Sequence, residues 1–171
     1  MKIVVYMGQS VNGYIAKEDD DTSFVSEKSW ESFEKLYQKI GNIVIGKTTF
    51  GVSLLDNSFP YPRALNVVMT HKPVENKWGN EVVFTDKSPQ QVVSLLKSKG
   101  FDTVFIAGGG KINAAFLEAE LVDEIYLDIE PVIFGQGKPL FAQGAFESKL
   151  KLIETKMLSP NEIQLHYQVI K

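Results

Sequence analysis

Two glycine–lysine sequences follow apolar runs and have the residue types that bind phosphate. Residues 43–49 contain Gly46-Lys47 after three branched apolar residues, and residues 104–111 contain three glycines and a lysine after a similar run. Each sequence would bring free backbone N–H groups, a helix N-terminus and a cation to the end of a buried strand. Two such turns predict one large ligand that carries several phosphate groups.

A third polar strand end lies at Thr70 and His71, which follow the mostly apolar residues 65–69. A hydroxyl, an imidazole and the neighbouring ammonium group of Lys72 have the chemistry to contact a further anion. In an open α/β sheet, ligands lie beyond the carboxyl ends of the parallel strands. Three such strand ends therefore favour one shared binding cleft.

Residues 41–48 also match the pattern G-x-x-x-x-G-K-[ST] of nucleotide-triphosphatase loops. In such a loop a strand precedes the first glycine, and the four middle residues cradle phosphate. Here a helical segment precedes Gly41, and residues 43–45 have the composition of a strand. The match is interpreted as accidental, which makes magnesium-dependent phosphotransfer the least favoured of three functional hypotheses.

Apolar periodicity predicts the elements that must position these residues. Residues 3–8 are apolar almost throughout, as expected for a central strand buried on both faces. Apolar residues recur at helical spacing from Trp30 onwards, with Ser26 or Ser29 as the N-cap and Gly41 as the end. The other predicted elements are strands at 43–46, 65–70, 81–84, 102–107, 124–132, 149–158 and 162–170 and helices at about 47–55, 88–100 and 112–119. This order predicts a single α/β domain over residues 1–171, with a mostly parallel mixed sheet and a C-terminal antiparallel hairpin at its edge.

The composition excludes several classes of protein. The net charge is −3 and the basic residues are scattered, which argues against nucleic acid as a partner. There is no cysteine, and His71 and His166 are isolated, so no metal site is expected. No apolar stretch approaches the ~20 residues that span a bilayer, and residues 1–7 are typical of a first strand rather than of a signal peptide. We therefore expect a soluble, cytoplasmic protein that does not bind membranes.

Four ordered segments resemble the dihydrofolate reductase superfamily, and within it the branch of the riboflavin-pathway reductase domain. Residues 10–16 resemble its S-x-D-G-x-I-A loop, with Asn12 in place of the usual aspartate, and residues 45–50 resemble M-G-R-x-T-[FWY]. Residues 68–71 are similar to the second cofactor strand end, and residues 106–117 to the I-G-G-G segment and its helix. The resemblance implies a three-layer α-β-α dihydrofolate-reductase-like fold and NADPH as the cofactor.

The resemblance also implies roles for the residues at matching positions. Gly8 and Ile15 would flank the nicotinamide, and Thr70 and His71 would lie near the adenosine 2′-phosphate. The two phosphate turns would consist of Gly46, Lys47, Thr48 and Thr49 on one side and Gly108, Gly109, Gly110, Lys111 and Ile112 on the other. A dinucleotide with an additional phosphate needs several separated anion sites, and each charge-assisted contact contributes about 1.5–3 kcal/mol.

The sequence departs from the family pattern at the position of the acid that supports protonation and at a substrate-binding position. Dihydrofolate reductases have an acidic residue early in the first helix, which binds the pterin and supports its protonation. Ungapped alignment from Gly46 places Trp30 at that position and Glu31 one residue later. Asn113 stands where the folate reductases usually have tyrosine, so folate is not the favoured substrate. Trp30 and Asn113 are predicted substrate contacts.

Glu31, Asn12 and a bound water are the predicted proton carriers, in that order, and Glu31 is equally consistent with a solvent-facing helix charge. The first functional hypothesis is an NADPH-dependent reductase that transfers hydride to a C=N or C=O bond of a small pyrimidinone- or pterin-like heterocycle. The alternative is a dinucleotide-binding protein of the same fold without turnover, because Trp30 occupies the acid position.

The riboflavin branch often joins its reductase domain to a zinc deaminase domain, whose motif requires cysteines that this sequence lacks. The branch also commonly pairs through its sheet edge and C-terminal elements. The apolar C-terminal hairpin of this chain is consistent with that mode of dimerisation, so we expect a homodimer.

Overall fold

The computed structural model describes residues 1–72 and 74–171 and is organised around an eight-stranded sheet. Its strands are β1 (Lys2–Ser10), β2 (Tyr14–Ala16), β3 (Asn42–Gly46), β4 (Leu65–Met69), β5 (Val82–Thr85), β6 (Thr103–Ile106), β7 (Glu124–Glu130), β8 (Lys138–Pro139), β9 (Lys149–Ser159) and β10 (Glu162–Ile170). Its helices are α1 (Glu27–Ile40), α2 (Lys47–Leu55), α3 (Pro89–Ser98) and α4 (Gly110–Glu118), with a short 3-10 turn at Gly79–Glu81.

The sheet is parallel except at its C-terminal edge. The strand order is β5-β4-β3-β6-β1-β7-β10-β9, and β2 pairs with β8 in a separate two-stranded ladder. Only β10 and β9 run antiparallel to their neighbours in the large sheet, as the sequence predicts for the C-terminal hairpin. β1 lies between β6 and β7, which explains why residues 3–6 are buried. The parallel strands therefore bring their carboxyl ends to one edge of the sheet.

Helices cover both faces of the sheet. On one face, α3 and α4 pack on a mostly aliphatic core that includes Val5, Val44 and Phe116. On the other face, α1, α2 and the segment that follows α2 enclose an aromatic core, with Tyr6 and Phe105 at its centre. Buried aromatic side chains cover about 150–250 Å² each, so this second core fixes α1 firmly against β1 and β6.

The boundaries of α1 follow from its capping residues. Of the two serines proposed as N-cap, Ser26 has this role, because its hydroxyl accepts a hydrogen bond from the Ser29 N–H at 3.1 Å. Gly41 ends the helix in the left-handed region, with φ of 83°. Ser29 is thereby left free for a different contact inside the protein.

Several element boundaries differ from those predicted. β1 continues to Ser10, into the predicted loop, and α4 begins at Gly110, two residues earlier than expected. The short strands β2 and β8 were not predicted, because three and two residues are too few for a periodic pattern. Residues 43–46 do lie within a strand, which confirms that the triphosphatase pattern is accidental. No helix among the described residues is long and apolar enough to cross a bilayer.

Candidate active site

The two glycine–lysine turns lie side by side at the ends of β3 and β6. The Gly46 N–H donates a hydrogen bond to the Gly108 carbonyl at 2.8 Å. Gly46 is the N-cap of α2 and Gly109 is the N-cap of α4, and neither glycine has a side chain that could cap its helix. The Gly108–Gly109 peptide bond is cis. Two uncapped helix N-termini therefore adjoin, and each offers free N–H groups and a positive dipole end to an anion.

Close packing explains why glycine occupies these positions. A Cβ on Gly46 would lie 2.8 Å from Cγ1 of Ile112, and a Cβ on Gly110 would collide with the carbonyl oxygen of Pro139. Gly108 has φ of +81°, which favours glycine. These turns therefore expose bare backbone at the ends of two neighbouring strands.

The loops after β1 and β7 cover the second turn. The Ala142 N–H donates to the Gly110 carbonyl at 3.0 Å. Ile15 on β2 is buried, and the Ile15 and Thr49 side chains are the nearest groups to the place where a Cβ on Gly109 would stand, at 3.9 and 3.5 Å. The structure thus brings together three residues that the resemblance assigned to different parts of one cofactor site.

The predicted cationic and hydroxyl contacts lie along the same edge of the sheet. Lys47 and Thr48 are exposed in the first turn of α2, and Lys111 is exposed in the first turn of α4. Thr70 follows β4, where its N–H donates to β5 at 2.8 Å, and His71 is exposed beside it. Strands β4, β3, β6 and β1 are neighbours, so these groups and the end of β1 extend over about 14 Å of the edge.

The two predicted substrate residues lie on helices that cover opposite faces of the sheet. Trp30 on α1 is 40% exposed, and its ring stacks on Phe33 with the centroids 5.2 Å apart. Asn113 on α4 is fully buried, and its Nδ2 donates to the Leu140 carbonyl at 2.9 Å. Asn113 therefore anchors the loop that follows β8 against the second turn.

The two predicted proton carriers are at the surface. The Glu31 carboxylate is half exposed and pairs with the Lys28 ammonium at 3.1 Å. Asn12 is exposed in the turn after β1, where its Oδ1 accepts from the Ser10 hydroxyl and its Nδ2 donates to the Phe134 carbonyl, both at 2.9 Å. The contacts of Asn12 join the turn after β1 to the loop after β7.

A buried side-chain network that the sequence analysis did not include lies beneath the start of α1. Asp128 on β7 is fully buried, and its Oδ2 accepts from the Tyr6 hydroxyl at 2.6 Å and from the Ser29 hydroxyl at 2.7 Å. Its Oδ1 accepts from Nε2 of Gln164 at 2.7 Å. Burial raises the pKa of the Asp128 carboxyl, although these hydrogen bonds act in the opposite direction. The available signal was an aspartate between two apolar residues in a predicted strand.

The sheet register places this network directly beside the end of β1. Gly8 pairs with Asp128 across the β1–β7 ladder. A Cβ on Gly8 would lie 3.4 Å from the Ser29 hydroxyl oxygen, so this hydroxyl is close both to the backbone of Gly8 and to the Asp128 carboxyl. Two residues further along β7, the buried Glu130 accepts from the Ser26 N–H at 3.2 Å, and burial raises its pKa too.

Comparison with known proteins identifies the family of this chain. Residues 1–163 match the family described as the RibD C-terminal domain. The chain belongs to this family. It is 31% identical over 170 residues to the uncharacterized protein YwjB of Bacillus subtilis, and the match covers 97% of each chain.

Solved structures show that this RibD C-terminal domain has the dihydrofolate-reductase-like fold that its sequence predicts. A Shewanella protein named for riboflavin biosynthesis superposes with a TM-score of 0.85 at 21% identity and complete coverage of both chains. A pyrimidine reductase-like protein from Corynebacterium diphtheriae gives a TM-score of 0.79 at 17% identity, with 99% of this chain and 92% of that chain covered. For the Thermotoga maritima deaminase and 5-amino-6-(5-phosphoribosylamino)uracil reductase, the TM-score is 0.76 at 17% identity, over 56% of that chain.

Proposed function

We propose that residues 1–171 form a single reductase domain, which uses NADPH to transfer hydride to a C=N or C=O bond of a small pyrimidinone- or pterin-like heterocycle. The observation that carries this proposal is the meeting of two uncapped helix N-termini at Gly46 and Gly109. Family membership and the reductases among the structures of the same fold support it.

The residues along the sheet edge fit a dinucleotide with an additional phosphate. The groups proposed to hold the two central phosphates are Gly46, Lys47, Thr48 and Thr49 from the first turn and Gly108, Gly109, Gly110, Lys111 and Ile112 from the second. Thr70 and His71 would hold the 2′-phosphate, and Gly8 and Ile15 would flank the nicotinamide. The bound cofactor supplies the hydride, whereas the protein orients the substrate, excludes water and holds a proton.

Binding of the two nicotinamide cofactors tests this proposal. We expect NADPH to bind more tightly than NADH in a fluorescence titration, because Lys47, Thr70 and His71 provide the contacts for additional negative charge. Lys47→Ala should weaken NADPH binding about tenfold, which corresponds to about 1.4 kcal/mol. Lys99→Ala, the same charge change at the exposed C-cap of α3, is the control. Equal affinity for NADPH and NADH would contradict the 2′-phosphate site, and no binding at millimolar NADPH would contradict the function.

A binding protein without turnover is the second candidate. It is favoured by the exposed position of Glu31 and its pairing with Lys28, and by Trp30 at the position that carries the acid in folate reductases. Cofactor binding without oxidation across a panel of pyrimidinones, pterins and quinones would support this candidate. Steady oxidation of NADPH with any one acceptor would exclude it. The sequence-based proposals for proton carriers remain Glu31 and Asn12. Those for substrate contacts remain Trp30 and Asn113.

We further propose a homodimer that forms through the C-terminal hairpin. β9 is the edge strand of the sheet, and it exposes the apolar side chains of Leu150, Leu152, Ile153 and Met157. An unpaired apolar edge strand offers backbone hydrogen-bonding groups and apolar side chains with which a second chain can pair. Light scattering should give twice the chain mass of 19.1 kDa, whereas the mass of one chain would contradict the proposal.

A small-molecule substrate, rather than nucleic acid or a membrane, is the proposed partner, since the net charge is −3 and the basic residues are scattered. The cysteine-free sequence is compatible with a reducing compartment, and we propose the cytoplasm. Cell fractionation would test the location. Recovery of the protein in the membrane fraction would contradict it.

A further inference from the structure

We propose that Asp128 is the proton source for the reduction and that Ser29 passes its proton to the substrate. This inference rests on the proposed reductase function and names a residue pair for the proton that the sequence analysis did not consider. Asp128 acts through Ser29, so it is a positioning and proton-storing group, and Ser29 is the group that touches the substrate.

The geometry places this pair beside the predicted nicotinamide position. Ser29 lies in the first turn of α1 and is 2% exposed, and its hydroxyl is 2.7 Å from Asp128 Oδ2. The same hydroxyl oxygen would lie 3.4 Å from a Cβ on Gly8, the residue that pairs with Asp128 across the sheet. The Ser29 hydroxyl therefore connects a proton stored on Asp128 with the region beside Gly8, near the end of β1.

The two sequence-predicted carriers have a different setting. The Glu31 carboxylate is 51% exposed and pairs with the Lys28 ammonium, so it is not enclosed by the protein. The hydrogen bonds of Asn12 go to the Ser10 hydroxyl and to a backbone carbonyl, and an amide side chain does not store a proton near neutral pH. Asp128 has the ionisable group and the enclosure that a proton reservoir needs.

The proposed step balances with one hydride and one proton. A nicotinamide cofactor held beside Gly8 and Ile15 would supply the hydride for the substrate carbon, and with it the two electrons of the reduction. While the Asp128 carboxyl is protonated, it donates its hydrogen bond to the Ser29 hydroxyl. The Ser29 hydroxyl then gives its own proton to the substrate nitrogen or oxygen and takes the proton of the Asp128 carboxyl. The O–H bond of Asp128 breaks, and the carboxylate that remains accepts hydrogen bonds from Tyr6, Ser29 and Gln164.

A groove on the surface provides the route by which Asp128 regains its proton. The groove has a volume of about 370 Å³, lies between α1 and the C-terminal hairpin, and is lined by Tyr6 and Gln164 together with Lys28 and Lys156. Tyr6 and Gln164 both hydrogen-bond to Asp128. Solvent in the groove is therefore separated from Asp128 by one layer of polar side chains.

The charged and titratable groups around Asp128 belong to four strands. Tyr6 on β1 donates to it, Glu130 follows it on β7, and Glu162 on β10 interacts with Glu130. Lys156 on β9 is the cation that favours the ionised carboxylate. Burial outweighs that attraction and raises the pKa of Asp128, which keeps the carboxyl protonated to a higher pH than an exposed aspartate.

Infrared difference spectroscopy tests whether Asp128 stores a proton. Subtracting the spectrum of Asp128→Asn from that of the natural protein isolates the Asp128 carboxyl, and its titration is followed over pH. We expect a protonated carboxyl to persist above the pH at which an ordinary aspartate ionises, about 4. Asp86→Asn, at an exposed aspartate after β5, is the matched control for the subtraction. An ordinary titration of Asp128 would overturn the proposal.

The same titration with bound cofactor tests whether Asp128 adjoins the nicotinamide. The ring of NADP⁺ is positively charged and that of NADPH is neutral, so the oxidised cofactor should lower the apparent pKa of Asp128 relative to the reduced one. Equal titrations with both cofactors bound would overturn this inference and leave the proposed reductase standing. Failure of either cofactor to bind would overturn the proposed function and this inference together.

Turnover with any acceptor that the protein reduces gives a third readout. The rate should fall as the pH rises and the Asp128 carboxyl loses its proton. Asp128→Asn should lower kcat at least tenfold, leave KM within about twofold and abolish that decline. Retention of the decline in Asp128→Asn would assign it to another group and overturn the proposal.

Discussion

The sheet edge with the two glycine–lysine turns lies near the Asp128 network, but the first is formed by backbone and the second by side chains. The edge is formed by backbone, through glycines whose missing side chains leave N–H groups bare at two helix starts. The network is formed by side chains from β1, α1, β7 and β10 that meet only in the folded sheet. Substitutions at the edge should therefore affect stability and binding through steric overlap. Substitutions in the network should affect them through hydrogen bonding and charge.

Gly110→Ala should have the largest effect, because its Cβ would collide with the backbone carbonyl of Pro139. We expect a loss of about 3 kcal/mol in unfolding free energy, the cost of overpacking where backbone must move, and at least tenfold weaker NADPH binding. Urea unfolding and cofactor titration measure the two effects. Gly51→Ala in α2 is the control, since no atom lies within 4 Å of its Cβ, and it should stabilise the protein by about 0.5–1 kcal/mol. Equal stability of the two variants would contradict the close-packed edge.

Tyr6→Phe should have the next largest effect. It removes the hydroxyl that donates to the buried Asp128 at 2.6 Å and leaves that carboxylate short of one donor. We expect a loss of about 2 kcal/mol in unfolding free energy with cofactor binding unchanged. Tyr126→Phe is the control, because its ring stacks on Tyr6 but its hydroxyl is not among the donors to Asp128. An equal loss in both variants would assign the effect to ring packing.

Asp128→Asn should change how stability depends on pH. A carboxyl whose pKa is raised by folding binds its proton more tightly in the folded state, so its contribution is complete below the unfolded pKa of about 4. That contribution is lost as the pH rises through the folded pKa. We expect the urea midpoint of the natural protein to fall over this window more steeply than that of Asp128→Asn. Parallel pH profiles would show that Asp128 titrates normally.

Glu31→Gln should have the smallest effect on stability. The carboxylate is half exposed, and its ion pair with Lys28 lies one turn along the surface of α1, so we expect a change below about 0.5 kcal/mol. Thermal unfolding measures it. A larger loss of unfolding free energy would mean that Glu31 contributes to packing. A loss of turnover as large as that of Asp128→Asn would make Glu31, on α1, the proton donor.

The sequence predicts the backbone edge well, because glycine patterns and strand ends are local signals. The positions of Gly46 and of the residues from Gly108 to Lys111 are visible as turns that end apolar runs, and the structure does bring the two turns together. The parallel order and the C-terminal hairpin also follow from local patterns. The pair of β2 and β8 could not be predicted, since it depends on two distant loops that meet over Gly110.

The side-chain network could not be assembled from the sequence, because its members are far apart in the chain. Ser29 and Asp128 are separated by 99 residues, and Tyr6 and Gln164 by 158. The capping pattern allows Ser29 as an N-cap, and the ungapped alignment from Gly46 places Glu31 near the expected acid. Neither fixes which face of α1 meets β7. The aspartate between Leu127 and Ile129 is the one local sign of the network.

The pairing of Gly8 with Asp128 has a consequence for how this chain can vary in evolution. Side chains alternate between the two faces of a strand, so the insertion of one residue between Glu124 and Asp128 would turn Asp128 away from α1 and towards the aliphatic core. An insertion in the loop between β7 and β8 would leave that register intact. Length changes should therefore be tolerated after Glu130 and rejected within β7, even where the inserted residue has an ideal strand propensity.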